Sequence, residues 1–425
     1  MTELVPLGEL GEVVSGSTPK THVAEYWDGD IPWITPADLS ENRDTYFRNT
    51  LRKITKAGYD SCSTRMLPIG SILYSSRAPI GHCAIAAYPL CTNQGFKSVI
   101  PNHRLDSVYG YYALRYMTPA IVALGRGATF AEINKEMFES VRIPVPALSE
   151  QKRIAALLDK ADRLRRTRRY AQDLSDSFLQ SVFLDMFGDP VTNSHGWNQA
   201  EIVDMCGVII DCPHYTPKTF SSHKTAYPFI RTSDIQDGYL DWSTTRYVES
   251  EEYIKRISRH RPTKGDVIYS REGERFGFAA RVPSGITPCL GQRVMLLQPD
   301  PATTTSEFLW ALLNSPKVYQ QANQIVGGST SPHVNVGDIK AFKVFLPPLN
   351  LQQKYAALVR CHDRLHIQRQ EAERQAEHLF QTLLHRAFSD SGEAVVEGYV
   401  CDADAPRPSA ACGAGDDRHC GVADV

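Results

Sequence analysis

The amino-acid sequence predicts an α+β protein in which two tandem globular units of mixed β-sheet and short helices are separated by two long antiparallel coiled-coil helices in a pseudo-two-fold arrangement. Three observations predict it. At 425 residues, 42% hydrophobic and 22% charged, the chain is long enough for two or three cores. It reads as one unit written twice. Each copy ends in a long run of helical period.

The duplication is read from a fixed offset. Gly127-Ala128-Thr129 with Ile133-Asn134 matches Gly328-Ser329-Thr330 with Val334-Asn335, an offset of 201 residues. The same register pairs Arg142-Ile143 with Lys343-Val344, Gln151 with Gln352, Asp162-Arg163-Leu164 with Asp363-Arg364-Leu365, and Phe187 with Phe388. Upstream it drifts to about 195, pairing Ile31-Pro32-Trp33-Ile34 with Tyr227-Pro228-Phe229-Ile230 and Gly70–Ser75 with Gly265–Ser270. Gaps in that half fit loops that differ between related domains, and the ungapped half fits a rigid element.

The rigid element is helical. Ile154, Leu157, Leu158, Ala161 and Leu164, then Leu174, Phe178, Leu179, Val182 and Phe183, follow three-and-four spacing, and the second copy repeats the pattern from Tyr355 to Leu384. Ser149 and Asn350 stand at the expected N-caps, and Gly188-Asp189-Pro190 stops the first helix. Each helix should run roughly 36 residues, about 54 Å, and neither can bury its apolar stripe alone. Packed side by side about a pseudo-two-fold axis they become antiparallel and send the globular units to opposite ends. The expected boundaries are 1–148 and 188–348 for the globular units, 149–187 and 349–390 for the helices, and 391–425 for a disordered acidic tail. Within the units, short strands are expected at Ser71–Tyr74, Val267–Tyr269 and Val294–Leu297, and helices at Val108–Tyr116, Ser306–Leu313 and Lys317–Ile325.

Composition and missing motifs narrow the function. Net charge is −2 with a pI near 6.7, which argues against gripping nucleic acid by bulk positive charge. The tail from Ser391 carries seven acids and two arginines, a net of −5 that leaves +3 for the rest. A near-neutral reader can still work if partners hold phosphate while it reads bases. No eighteen-residue apolar run or signal peptide is found, so a cytoplasmic location is expected. The ten cysteines read as reduced thiols, and neither Cys206, Cys212 and His214 nor Cys401, Cys412, His419 and Cys420 has metal-ligand spacing, so no metal is expected. There is no G-x-x-x-x-G-K-[ST], G-x-S-x-G or H-E-x-x-H, and Leu346-Pro347-Pro348-Leu349 lacks the amide that amino-methyltransferases place against a flipped base. No catalytic residue is expected.

Pro6-Leu7-Gly8-Glu9-Leu10, Gly16-Ser17-Thr18-Pro19, Ile31-Pro32-Trp33, Gly70–Ser75, Thr92-Asn93-Gln94-Gly95, Gly127-Ala128-Thr129, Ile143–Pro146 with Gln151, and Met186–Pro190 resemble the recurring segments of Type I restriction-modification specificity subunits, in order and over nearly everything before Ser391. The resemblance implies that each globular unit is a target recognition domain reading half of an asymmetric bipartite double-stranded DNA target. It also implies that the helices are spacers that dock two methyltransferase subunits, and that restriction endonuclease subunits join where the system is complete. S-adenosylmethionine and ATP are then expected on those partners, with no cofactor in this chain. A pseudo-symmetric coiled-coil scaffold that does not read DNA is the alternative. The second copy departs from the pattern, with Gly291-Gln292-Arg293 for Asn93-Gln94-Gly95 and Cys212–Pro217 for Ser15–Pro19.

Arg or Lys suits guanine, Asn or Gln adenine, and Ser or Thr either. The candidate DNA-binding residues in loops that read as exposed are Lys20, Thr35, Arg77, Gln94 and Arg126 in the first unit, and Lys218, Arg231, Arg271, Gln292 and Arg293 in the second. Each has a plainer reading as a solvated charge or turn former, and Gln94 and Gln292 equally suit buried amides tying loops together. The run Arg163, Arg165, Arg166, Arg168 and Arg169 fits either phosphate neutralisation or a solvated, partner-facing helix side. Trp33 and Phe229 read as core aromatics.

Overall fold

The computed structural model describes residues 3–124, 132–220, 227–236, 238–273, 275–327 and 332–389. They form two compact units that do not follow chain order. The first runs to Thr167 and takes in the chain again from Glu373, and the second spans Arg168–Ala372. Among the described residues no helix is long and apolar enough to cross a membrane.

The duplication read from the sequence is present in the strand order of each unit. The main sheet of the first unit runs Gly11–Ser15, Lys97–Pro101, Ile72–Tyr74, Cys83–Ala86, with Tyr46–Phe47 added at the edge. That of the second runs Cys206–Asp211, Val294–Pro299, Val267–Ser270, Ala279–Arg281. The central strands, Ile72–Tyr74 and Val267–Ser270, are buried at every residue and apolar but for Ser270 at the end of the second. Each follows a turn glycine, Gly70 and Gly265, held at positive φ (86° and 92°), where a side chain would be strained. A second sheet repeats likewise: Lys53–Ile54, Trp27–Ile34, Cys91–Thr92 in the first unit, and Arg246–Val248, Tyr227–Ile230, Cys289–Leu290 in the second. Trp33 and Phe229 lie in it, 3% and 4% exposed, as core aromatics.

The first and last strands of each globular part zip together, Glu3–Pro6 against Arg142–Val145 and Asn198–Glu201 against Lys343–Leu346. Each long helix therefore leaves its unit from a fixed point. The helices span Leu148–Phe187 and Leu349–Ser389, 40 and 41 residues. Ser149 and Asn350 are not their N-caps. The carbonyls of Ala147 and Pro348 accept the first amide bonds, from Glu150 and Gln151 and from Leu351 and Gln352, so each helix starts at a leucine one residue earlier. Gly188, φ +78°, stops the first helix with its N–H on the Leu184 carbonyl.

Gln151 and Gln352, 1% and 0% exposed, lock the first turns. Gln151 Nε2 donates to the Arg104 and Pro146 carbonyls (2.8 and 2.9 Å) while its Oε1 accepts from Asp106 N–H (2.9 Å). Gln352 repeats the arrangement on Thr303, Pro347 and Thr305. A buried primary amide that satisfies two carbonyls and an N–H is the chemistry these junctions need.

The core of the first unit contains Tyr109, Tyr112 and Phe138, with Ala155, Leu158 and Ala161 from the first long helix and Phe380, Leu384 and Phe388 from the second. That of the second contains Phe308, Phe342 and Phe345, with Leu179, Phe183 and Phe187 from the first helix and Tyr355 and Val359 from the second. Each unit thus pairs opposite halves of the two helices, and the pairing is antiparallel. In the second unit Ser175 meets His362 (2.8 Å), Gln172 meets His366 (2.7 Å) and Phe183 packs on Tyr355 (5.7 Å). The tail 391–425 lies outside the described residues.

Candidate nucleic-acid interface

In each unit three loops converge at one end of the main sheet, and the backbone brings them together in the same way. In the first unit Ser17 N–H donates to Thr92 O (2.9 Å), Asn93 N–H to Ile34 O (3.0 Å), Ser76 N–H to Gly95 O (2.7 Å) and Ile133 N–H to Ser76 O (2.9 Å). In the second, Gly291 N–H donates to Ile230 O (2.7 Å), Arg271 N–H to Arg293 O (3.1 Å) and Val334 N–H to Arg271 O (3.0 Å). The approach is close. A Cβ on Gly16 would fall 2.0 Å from the Asn93 carbonyl oxygen, and one on Gly291 2.5 Å from that of Ile230. Trp33 Nε1 donates to Ser17 O (3.0 Å), fastening the first of these loops to the core.

One side-chain contact is identical in both units. Thr18 Oγ1 donates to Gln94 Oε1, and Thr216 Oγ1 donates to Gln292 Oε1 (2.5 Å). Gln94 is exposed, so it ties two loops together at the surface rather than as a buried amide. Thr18-Pro19-Lys20 recurs as Thr216-Pro217-Lys218, at the same offset of 198 that relates the two glutamines. That recurrence was a readable signal for Thr18 and Thr216, which the offsets of 201 and about 195 pass over. Lys20 and Lys218 are exposed, with Lys218 Nζ 5.4 Å from the Phe220 ring.

The remaining candidates divide. Thr35 and Arg231 are turn-builders. Thr35 N–H and Oγ1 both donate to Asp38 (2.7 Å each), and Arg231 repeats the arrangement on the fully buried Asp234, with its N–H at 2.8 Å and its guanidinium at 2.7 Å. Arg271 is not in an exposed loop: it is 2% exposed and paired with Asp211 (3.2 Å) and Glu272 (3.0 Å). The first unit puts a different buried cation beside the same turn, Lys97, whose ammonium lies 3.5 Å from Ser76 Oγ and which burial holds below the ordinary lysine range. Arg77 and Arg293 reach solvent, Arg77 paired with Glu132 (3.0 Å) and Arg293 beside Glu272 (3.9 Å). Arg126 lies outside the described residues, as do Gly127-Ala128-Thr129 and Gly328-Ser329-Thr330.

Arg256 also holds the second unit's loop, a role that its residue type and position in the sequence do not signal. Its side chain is wholly buried, donates to Leu290 O and Tyr215 O (2.8 Å each), pairs with Glu252 (2.5 Å) and lies over the Tyr215 and Phe229 rings. Cys212 is buried as well. Its S–H donates to Gln292 O (2.7 Å), and burial pushes the thiol up to about 11.

The arginine run on the first long helix is not one basic face. Arg165 and Arg166 are consumed within the first unit, by Asp162 and Glu377 and by Asp44 and Asp162 respectively. Arg163 pairs with Asp159 along the exposed helix surface (3.0 Å).

Residues 2–171 and 194–376 match the family model described as the Type I restriction modification DNA specificity domain. The chain is 30% identical over 377 residues to the Type I restriction enzyme MjaIX specificity subunit of Methanocaldococcus jannaschii, a match that covers 83% of this chain and 84% of that protein. It is 33% identical over 165 residues to the EcoR124I/EcoR124II specificity subunit of Escherichia coli, covering 37% and 40%. Among solved structures, the S subunit of a Type I restriction-modification system from M. genitalium superposes with a TM-score of 0.56 at 15% identity, covering 91% of this chain and 96% of that one.

Proposed function

Since this chain belongs to the Type I restriction modification DNA specificity family, we propose that it reads the target for such a system: each unit binds one half of a split, asymmetric duplex sequence, and partner subunits carry out the chemistry. The observation that carries this reading is the duplicated loop cluster. Both units build it with three matched backbone bonds and the same Thr–Gln tie, yet surround it with different charged side chains. Two related readers with different polar surroundings are what an asymmetric target needs. We assign the methyltransferase and restriction steps, with S-adenosylmethionine and ATP, to partners and no catalytic step to this chain.

The long helices offer a surface for those partners. In the first unit Leu157 and Leu164 are 44% and 41% exposed, with Leu379 at 44%. In the second Leu358 and Leu365 are 43% and 42% exposed, with Phe178 at 52%. The expected stripe is thus wider than the chain itself covers, and seven-residue spacing keeps the leftover residues on one helix face, as an added helix requires. Leu157→Glu with Leu164→Glu should cut the methyltransferase subunits that copurify from two to one, the one left being that on the Leu358 and Leu365 face. Burial of two leucines contributes about 3–6 kcal/mol, so affinity at the substituted face should fall at least about a hundredfold. Undiminished copurification, with Leu358→Glu and Leu365→Glu equally silent, would move docking off the helices.

The reading itself is tested by selecting duplexes from a random pool with the complex of this chain and its methyltransferase partner. Enrichment of one split motif is expected. A coiled-coil scaffold would enrich nothing.

A further inference from the structure

The loop cluster holds two kinds of polar position, and duplication has treated them oppositely. The Thr–Gln tie and the lysine two residues beyond the threonine are the same in both units. Each glutamine's carbonyl oxygen already accepts from the threonine, and its amide NH2 has no hydrogen bond among the described residues. Glutamine and lysine therefore both present donors.

Beside them, one residue from the Ser76 or Arg271 turn forms an isolated β-bridge to the segment before Ile133 or Val334: Arg77 to Glu132, and Glu272 to His333. Each bridge carries a side-chain contact at 3.0 Å, an ion pair from Arg77 to Glu132 and an imidazole-to-carboxylate contact from His333 to Glu272. The geometry is shared and the chemistry is inverted. Where the first unit has a cation the second has an acid, and where the first has an acid the second has an imidazole. The neighbouring position changes too, Gly95 becoming Arg293, which adds a guanidinium 3.9 Å from Glu272. Arg77 and Glu132 are 45% and 39% exposed, and His333 and Arg293 46% and 54%, so each unit turns a different set of heads to solvent.

An element identical in two readers cannot distinguish their half-sites; it can only hold what both half-sites offer. Every duplex offers phosphate oxygens, which are acceptors. A position of inverted polarity favours different bases, because a guanidinium matches guanine O6 and N7 while a carboxylate accepts from cytosine N4. We propose that the bridged pairs, Arg77 with Glu132 and Glu272 with His333, are where the two units discriminate bases, and that the repeated Thr–Gln–Lys elements hold the sugar-phosphate backbone. This rests on the DNA-reading function above. It reassigns Lys20, Gln94, Lys218 and Gln292 from base contacts to backbone contacts, with Thr18 and Thr216 as their positioning residues.

The test uses the whole complex with its methyltransferase partner and reads the modified motif and the salt dependence of duplex binding. Arg77→Glu with Glu132→His, which installs the second unit's pair in the first, should change the base preference in one half-site and leave the other half-site and the gap unaltered. Lys20→Ala with Gln94→Ala should weaken cognate and unrelated duplexes alike, lower the salt slope by about one, and leave the motif unchanged. If the double exchange fails to assemble, Glu132→Gln decides the same point, with relaxed preference at one position expected. An unaltered motif from the exchange or from Glu132→Gln, or altered bases from the Lys20 and Gln94 variant, overturns the proposal. A wild-type complex that modifies no defined motif would instead remove the reading beneath it.

Discussion

Replacing Asp162 with alanine is expected to destabilise the first unit by about 3 kcal/mol, within the range for removing one partner of a buried ion cluster. The carboxylate is 1% exposed and faces three guanidiniums: Arg165 at 2.5 Å, Arg166 at 3.4 Å and Arg115 at 3.5 Å. Arg165 and Arg115 also lie over the Phe380 ring, at 4.5 and 5.2 Å, which seats the end of the second long helix in this core. Without Asp162, Arg165 keeps Glu377 and Arg166 keeps Asp44, but Arg115 loses its acid. The counterpart in the second unit is an internal control. Asp363 is 28% exposed and, among the described residues, pairs with Arg281 (2.7 Å) and no second cation, so its alanine variant should cost about 1 kcal/mol. Denaturant midpoints followed by tryptophan fluorescence check both, since Trp27 and Trp33 report on the first unit and Trp197, Trp242 and Trp310 on the second. Equal losses would show that the cluster around Asp162 carries no special weight.

Lengthening both long helices is expected to widen the gap in the DNA target without changing its bases. Seven residues inserted after Thr167 and after Ala372, where the compact units divide, keep the apolar stripe in phase. At 1.5 Å per residue they add about 10 Å, close to three base pairs at 3.4 Å each. A modified motif whose half-sites are unchanged and whose gap has grown by about three base pairs is the expected result. Changed bases with the old gap would contradict the spacer role.

Periodicity and self-comparison made much of this fold legible. Both long helices, the central strands at Ile72 and Val267 and the core placement of Trp33 and Phe229 follow from apolar spacing, because burial acts on the face of an element. Spacing says nothing about which partner covers that face. Leu158, Ala161, Leu179 and Phe183 are buried while Leu157, Leu164, Leu174 and Phe178 stay exposed, and the apolar spacing that marks both sets does not say which of them the chain covers itself. The exchange of helix halves between units was invisible for the same reason. At the candidate site, residue type gave chemistry but not burial. Arg231 and Arg271 look like loop arginines in sequence, yet their carboxylates, Asp234, Asp211 and Glu272, are supplied by the fold. The Thr–Gln tie was within reach, since Thr-Pro-Lys recurs at the glutamines' own offset.

The most direct test of the account is to express this chain with its methyltransferase partner in a host lacking such modification and to map modified adenines across the genome. One split, asymmetric motif that disappears when this chain is omitted is the predicted result. A stable complex that leaves the genome unmodified, or one that modifies the same sites without this chain, would contradict it.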